Sequence, residues 1–217
     1  MLTFQTVPPV ARRSAAAKPF HALVLHGLGD SLHGWKDAAG VFQLDELGWT
    51  FANAPIPYYG GFSWFTIDLG AGRPRVDLGE FAESRRLLDE LIAHLLATLA
   101  IPSERLFLCG FSQGSAMVVD HALRSDRRYA GIVGISGFLP TLDDFPAAFS
   151  ATGKAQQILL THGRWDDVIP VDWARLQAER LKELGADADW REYDKPHSLD
   201  PVREIGDIRS WVRARMR

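Results

Sequence analysis

The chain has 217 residues, 47% hydrophobic and 11% aromatic, which is enough to bury one sizeable core and gives no reason to expect more than a single domain, 1–217. The formal net charge of −3, a pI near 6.2 and the scattering of Lys and Arg leave no basic footprint for nucleic acid or an anionic membrane surface. A lone cysteine excludes an internal disulfide, and no Cys/His spacing suits zinc, so a reducing cytoplasm and a site without metal or cofactor are expected.

Residues 2–7 read as an edge strand ended by Pro8-Pro9, within an N-terminal edge segment of residues 1–19. Arg12-Arg13 is not followed by an apolar h-region, so no twin-arginine signal is read, and no stretch is long enough to span a membrane. The core is expected to begin at Phe20. Residues 20–26 (FHALVLH) form a nearly continuous apolar run, as in a strand buried on both faces of a parallel sheet. Gly27-Leu28-Gly29-Asp30-Ser31 follows, a turn whose N–H groups can face a ligand, then a helix over residues 35–44 and a strand over 49–52.

Residues 53–75 read as a long loop in which Pro and Gly interrupt Tyr58, Tyr59, Phe62, Trp64 and Phe65, aromatics not expected to be left in solvent. Asp77 with Glu80 predicts a capping box, and Leu88, Leu91, Ile92, Leu95, Leu96 and Leu99 an apolar helix face beside which His94 is surface or half-buried.

At residues 105–122 (RLFLCGFSQGSAMVVDHA) an apolar strand stops at Gly110 and a helical pattern resumes after Gly114. Gly110-Phe111-Ser112-Gln113-Gly114 thus fits G-x-S-x-G in strand–turn–helix context, a nucleophile elbow; the glycines are needed because side chains there would meet the adjacent strand and helix. Cys109, one residue before Gly110, reads as a buried strand residue. Residues 130–136 and 157–162 are central strands. A helix over 171–184 should turn Trp173, Leu176, Leu181 and Leu184 inward and stop at Gly185; a strand over 188–193 and a helix over 201–215 close the chain. This alternation predicts an α/β fold with a mainly parallel sheet and a site at the carboxyl ends of its strands.

A serine nucleophile needs a histidine to take its proton and a carboxylate to orient that histidine, in this fold in the chain order Ser, Asp or Glu, His. Asp166 and His197 each follow a strand, and His21, His26, His33, His94, His121 and His162 all precede Asp166, leaving His197. Asp167 is a rival for Asp166 that spacing cannot separate from it; Asp143 and Asp144 are more distant ones. The expected oxyanion donors are the N–H groups of Gln113 and Leu28. As a phosphate-cradling turn, residues 26–30 lack a P-loop lysine and the third glycine of a dinucleotide fingerprint.

HGLGDS at residues 26–31, APIP at 54 and SWF at 63, GFSQGSAM at 110, FLP at 138, HGRWDDVIP at 162 and the His-Ser at 197 together resemble the phospholipase and carboxylesterase branch of the α/β-hydrolases, which includes the acyl-protein thioesterases. The likeness runs from about Phe20 to the C-terminus. It implies Asp166 as the catalytic aspartate, with Asp167 where the family commonly has proline, Leu28 and Gln113 as the oxyanion hole, and the Trp64 loop beside an acyl groove. The expected substrate is a small-molecule or acyl-chain ester, or a thioester, with short to medium acyl groups. Trp64, Phe65, Phe138 and Leu139 are expected to contact it. Residues 137–156 are too few for a large cap domain, which needs roughly fifty. An acyltransferase and a non-catalytic binding protein are the competing functions, and a homodimer is compatible with the sequence.

Overall fold

The computed structural model describes residues 1–10, 19–68, 75–142 and 149–216. In chain order the strands are β1 (Phe4–Val7), β2 (Phe20–Leu25), β3 (Leu47–Ala52), β4 (Ile56–Tyr58), β5 (Gly61–Ser63), β6 (Ile67–Asp68), β7 (Arg75–Val76), β8 (Leu106–Phe111), β9 (Gly131–Ile135), β10 (Gln157–Gly163) and β11 (Asp187–Tyr193). The helices are α1 (Ala38–Phe42), α2 (Leu78–Leu99), α3 (Gln113–Arg124), α4 (Ala151–Lys154), α5 (Val171–Glu183) and α6 (Arg203–Arg215).

Seven strands form one sheet in the order β1-β3-β2-β8-β9-β10-β11. Only β1 is antiparallel to its neighbour; the remaining pairs are parallel. The chain runs from β2 outward to β3, then returns to place β8 on the other side of β2. The carboxyl ends of β2 and β8 therefore flank a switch point, where an open α/β sheet leaves a crevice.

The unbroken apolar runs are explained by burial on two faces. Leu23, Leu25, Leu106, Leu108 and Ile132 pack under α2, α3 and α5 through Leu88, Leu91, Ile92, Leu95, Met117, Val118, Ala174 and Leu181. Their sequence neighbours Ala22, Val24, Phe107, Cys109 and Val133 point the other way, against Trp35, Phe42, Ile205, Ile208 and Trp211. A period of two thus serves two cores, and each strand reads as continuously hydrophobic.

Several local expectations change. The helix expected over 35–44 is a 3-10 turn at Leu32–Trp35 followed by the single short α1, ended by Gln43 in a left-handed conformation. Asp77 caps α2 by accepting from the Gly79 and Glu80 N–H groups, but Glu80 does not reach back to Asp77; its Oε2 accepts from Thr66 N at 2.6 Å, tying the helix start to the preceding segment. In α5 the buried stripe is Ala174, Ala178 and Leu181, while Leu176 is 63% exposed, because small residues let the helix approach the sheet closely and Leu176 falls on the opposite side. The region expected as a loop is organised into the β4–β5 and β6–β7 ribbons, with Gly70, Gly72 and Pro74 outside the described residues. Asp143 and Asp144 also lie outside them. Between β9 and β10 the described residues carry the four-residue α4 (Ala151–Lys154). Among the described residues no helix is long and apolar enough to cross a membrane.

Candidate active site

Ser112 sits between β8 and α3 with φ 53° and ψ −116°, a backbone conformation that costs a side-chain-bearing residue energy and persists because its surroundings fix it. Its N–H donates to Ile135 O at 2.9 Å. A Cβ at Gly110 would overlap the Gly114 carbonyl, and one at Gly114 the carbonyls of Leu25 and His26, so both glycines are required by backbone rather than by movable side chains.

The turn lifts Ser112 Oγ to 3.0 Å from His197 Nε2, and His197 Nδ1 lies 2.7 Å from Asp166 Oδ2. In the matching tautomer Ser112 donates to Nε2 while Nδ1–H donates to the carboxylate. Asp166 is buried and its other oxygen accepts from Val168 N at 3.0 Å and Ile169 N at 2.8 Å; Asp167 is exposed to solvent. Burial pushes the Asp166 carboxyl up, but the hydrogen bonds from His197 and the Ile169 N–H outweigh it, and its pKa ends below the ordinary value. The carboxylate is therefore held charged where an imidazolium would form.

His162, which chain order sets aside as a proton acceptor, stands behind this carboxylate. Its Nε2 donates to Ile169 O at 2.9 Å and lies 3.3 Å from Asp166 Oδ2, and its ring stacks on Trp190. Burial lowers its pKa, so it stays neutral and braces the Asp166 loop. A second support is Lys195, 3% exposed. It donates to Glu204 at 2.6 Å, Ser198 O at 2.7 Å and Ser136 Oγ at 3.1 Å, fastening the His197 loop to α6 and to the end of β9. His162 opens the HGRWDDVIP stretch, whereas the Lys195 support has no motif of its own; a buried Lys–Glu pair nine residues apart is invisible without the fold.

The Leu28 turn and the start of α3 are joined through residues 63–65. Trp64 Nε1 donates to His26 O at 2.9 Å, Trp64 N to Gln113 Oε1 at 2.9 Å, and Gln113 Nε2 to Phe65 O at 2.8 Å. The His26 ring closes the turn, with Nδ1 2.6 Å from Gly27 O and Nε2 accepting from Ala54 N at 3.1 Å; its burial lowers its pKa and favours this neutral form. Within the turn Gly29 N bonds Phe62 O and Asp30 N bonds Gly27 O, bonds that do not use the N–H of Leu28. As first residue of α3, Gln113 has an N–H without an intrahelical acceptor.

Ser112 opens into a cleft of about 280 Å³ lined by Gly27, Leu28, Asp30, Ile67, Phe111, Gln113, Phe138, Val168, Ile169 and His197. Of the residues expected to contact substrate, the structure brings Phe138 there and not the others. Trp64 and Phe65 are 0% exposed and pack behind the wall, Phe65 edge-on to Phe138 at 6.2 Å. Leu139 lines a small neighbouring pocket that meets the cleft at Phe138, its backbone clamped on both sides by Gln177. Tyr59, 94% exposed, stands in solvent at the tip of the β4–β5 ribbon. Ile67, Val168 and Ile169 are lining residues that sequence reasoning missed. Cys109 is buried and its thiol is pushed up to about 12, which leaves it inert. Among the described residues no group of His, Cys, Asp and Glu could hold a metal.

A parallel sheet with a strained serine at its switch point, in line with a histidine and a carboxylate, defines the α/β-hydrolase class, and within it the serine hydrolases. A profile of the phospholipase/carboxylesterase family matches residues 11–216, and the chain belongs to that family. It is 39% identical to acyl-protein thioesterase 1 of Schizosaccharomyces pombe over 68% of this chain and 69% of that protein. It is 30% identical to the Debaryomyces hansenii protein of the same name over 82% and 83%. Among solved structures, esterase PE8 superimposes with a TM-score of 0.85 at 27% identity, covering 98% of each chain. The chain is an esterase or thioesterase of the serine hydrolase type.

Proposed function

We propose that the 217-residue chain is a single catalytic domain, acting in the cytoplasm, that cleaves esters and thioesters of short to medium acyl chains through an acyl-serine. Ser112 Oγ attacks the carbonyl carbon while its proton passes to His197 Nε2, and Asp166 stabilises the imidazolium. The carbonyl oxygen becomes an oxyanion facing the N–H groups of Leu28 and Gln113. When the tetrahedral adduct collapses, the C–O or C–S bond breaks and the leaving alkoxide or thiolate takes the proton from His197. Water then attacks the acyl-serine, giving its proton to His197, and collapse returns a proton to Ser112 and releases the carboxylic acid.

The observation that carries this reading is the unbroken contact line from Ser112 Oγ through His197 to Asp166, at 3.0 and 2.7 Å, open on the cleft. Leu28, Ile67, Phe138, Val168 and Ile169 supply apolar contact for the acyl chain, at roughly 0.8 kcal/mol per buried methylene until the chain outgrows the cleft. In a p-nitrophenyl ester series kcat/KM is expected to rise over the first few carbons and then level. Ser112→Ala should lower it by roughly three orders of magnitude or more in a folded protein. Retained activity in that variant would refute the assignment; a flat series would refute the groove.

A further inference from the structure

Beyond the acyl cleft, a second cavity of about 270 Å³ lies on the other side of Phe111. The two share Asp30 and Phe111, and the Phe111 ring stands 5.0 Å from the His197 ring and 6.1 Å from Trp35. Its walls are apolar, with Trp35, Val41, Phe42 and Leu199 beside Phe111, and Leu199 is two residues past His197. A pocket so placed lies across the Phe111 ring from the His197 imidazole, the group that would hand a proton to the leaving group.

Two carboxylates give it a sign. Among the described residues Asp30 accepts from neutral donors, the Ser31 N–H at 2.7 Å and the Trp35 indole N–H at 3.1 Å, and Asp37, exposed to solvent, makes no side-chain cap bond. Among the described residues neither is in an ion pair. Apolar and aromatic walls with two carboxylates among them suit a cation on a short carbon chain, which gains from both ring faces and carboxylates.

We infer that this cavity is the leaving-group subsite and that it takes the alcohol or thiol portion of the substrate when that portion is apolar and carries a cationic group such as an alkylammonium. At about 270 Å³ the cavity is large enough for a two-carbon alcohol with a quaternary ammonium head. The inference rests on the serine-esterase reading and deepens it: Asp30 borders both cavities, and Asp37, which lines the second and not the acyl cleft, gives the alcohol side its selection by charge.

The test compares 2-(trimethylammonio)ethyl butyrate with its neutral isostere, 3,3-dimethylbutyl butyrate, and with methyl butyrate. Wild type should favour the cationic ester over the isostere about tenfold in kcat/KM, less at high salt. Asp37→Asn should bring that ratio down severalfold. Val41→Trp, at a half-exposed wall position, should lower kcat/KM for both bulky esters relative to methyl butyrate. A wild-type ratio near one, or ratios untouched by both variants, would overturn the subsite. Titrating the ammonium alcohol into Ser112→Ala protein reads the pocket without turnover: millimolar binding lost in Ser112→Ala/Val41→Trp supports it, and no binding contradicts it. Failure to hydrolyse any of the three esters would instead strike the serine-esterase reading.

Discussion

Replacing Gln113 with Leu removes a side-chain amide while keeping the backbone N–H proposed to meet the oxyanion. The native Oε1 accepts from Trp64 N at 2.9 Å and Ser63 Oγ at 3.2 Å, and Nε2 donates to Phe65 O at 2.8 Å. Leucine nearly matches glutamine in volume, so packing changes little. Phe65 O keeps the Ser63 hydroxyl at 2.8 Å, but the buried Trp64 N–H is left without an acceptor. Losing these bonds and stranding one donor should cost about 2–4 kcal/mol of stability. The link between residues 63–65 and the start of α3 is also cut, so the two oxyanion donors are no longer held to one frame. Removing such a donor outright costs about 10²–10³ in kcat in other serine hydrolases, and here the donor is loosened, not deleted. A fall of about tenfold to a hundredfold in kcat with KM little changed is expected, accompanied by a parallel loss of affinity for an alkylboronic acid that mimics the tetrahedral adduct. Urea unfolding and steady-state kinetics on the same preparation measure both effects. Normal kcat and boronate affinity in a protein destabilised by the expected amount would show that the clamp serves stability alone.

Asp166→Asn should lower kcat by about 10³–10⁴ while Asp167→Asn stays within a few-fold of wild type, since only Asp166 meets His197; equal losses in two folded variants would contradict the choice. Gly114→Ala forces a Cβ into the Leu25 and His26 carbonyls and should cost more than about 3 kcal/mol or prevent folding, so a native-like Tm would refute the steric account. His21 and His121 are both lowered to about 4 by burial. The unfolded chain protonates them below about 6.5 while the folded chain does not, so their stabilisation is complete above that pH and is lost towards pH 4, by at most ~3 kcal/mol each. Urea midpoints from pH 7 to 4.5 should fall accordingly, less steeply in His121→Gln; identical slopes would contradict burial as the cause.

What could be read from the chain was whatever sterics and chain order dictate. The elbow glycines, the burial of β2, β8, β9 and β10 on two faces, and the positions of Ser112 and His197 past strand ends all follow from local rules. Asp166 and Asp167 were inseparable by spacing because the difference is one of direction: a tight turn, in which Asp166 accepts from the N–H groups of residues 168 and 169, points one carboxylate inward and leaves its neighbour in water. The aromatics at 64 and 65 sit behind the cleft and not in it for a related reason. Composition shows that such rings are buried but not against what, and the Trp64 indole spends its N–H on His26 O behind the cleft instead of lining it. In α5 Leu181 is buried and Trp173 and Leu184 pack half-buried on the core as the spacing predicts, but Ala174 and Ala178 join the contact face and Leu176 faces solvent.

The central claim is that Ser112 carries the acyl group. Incubating the protein with a fluorophosphonate and locating the adduct by peptide mass spectrometry tests it most directly. Stoichiometric modification of Ser112 alone, suppressed in a folded His197→Ala variant that cannot draw off the hydroxyl proton, is the predicted result. Modification of a different serine, or of Ser112 at the same rate without His197, would contradict the account.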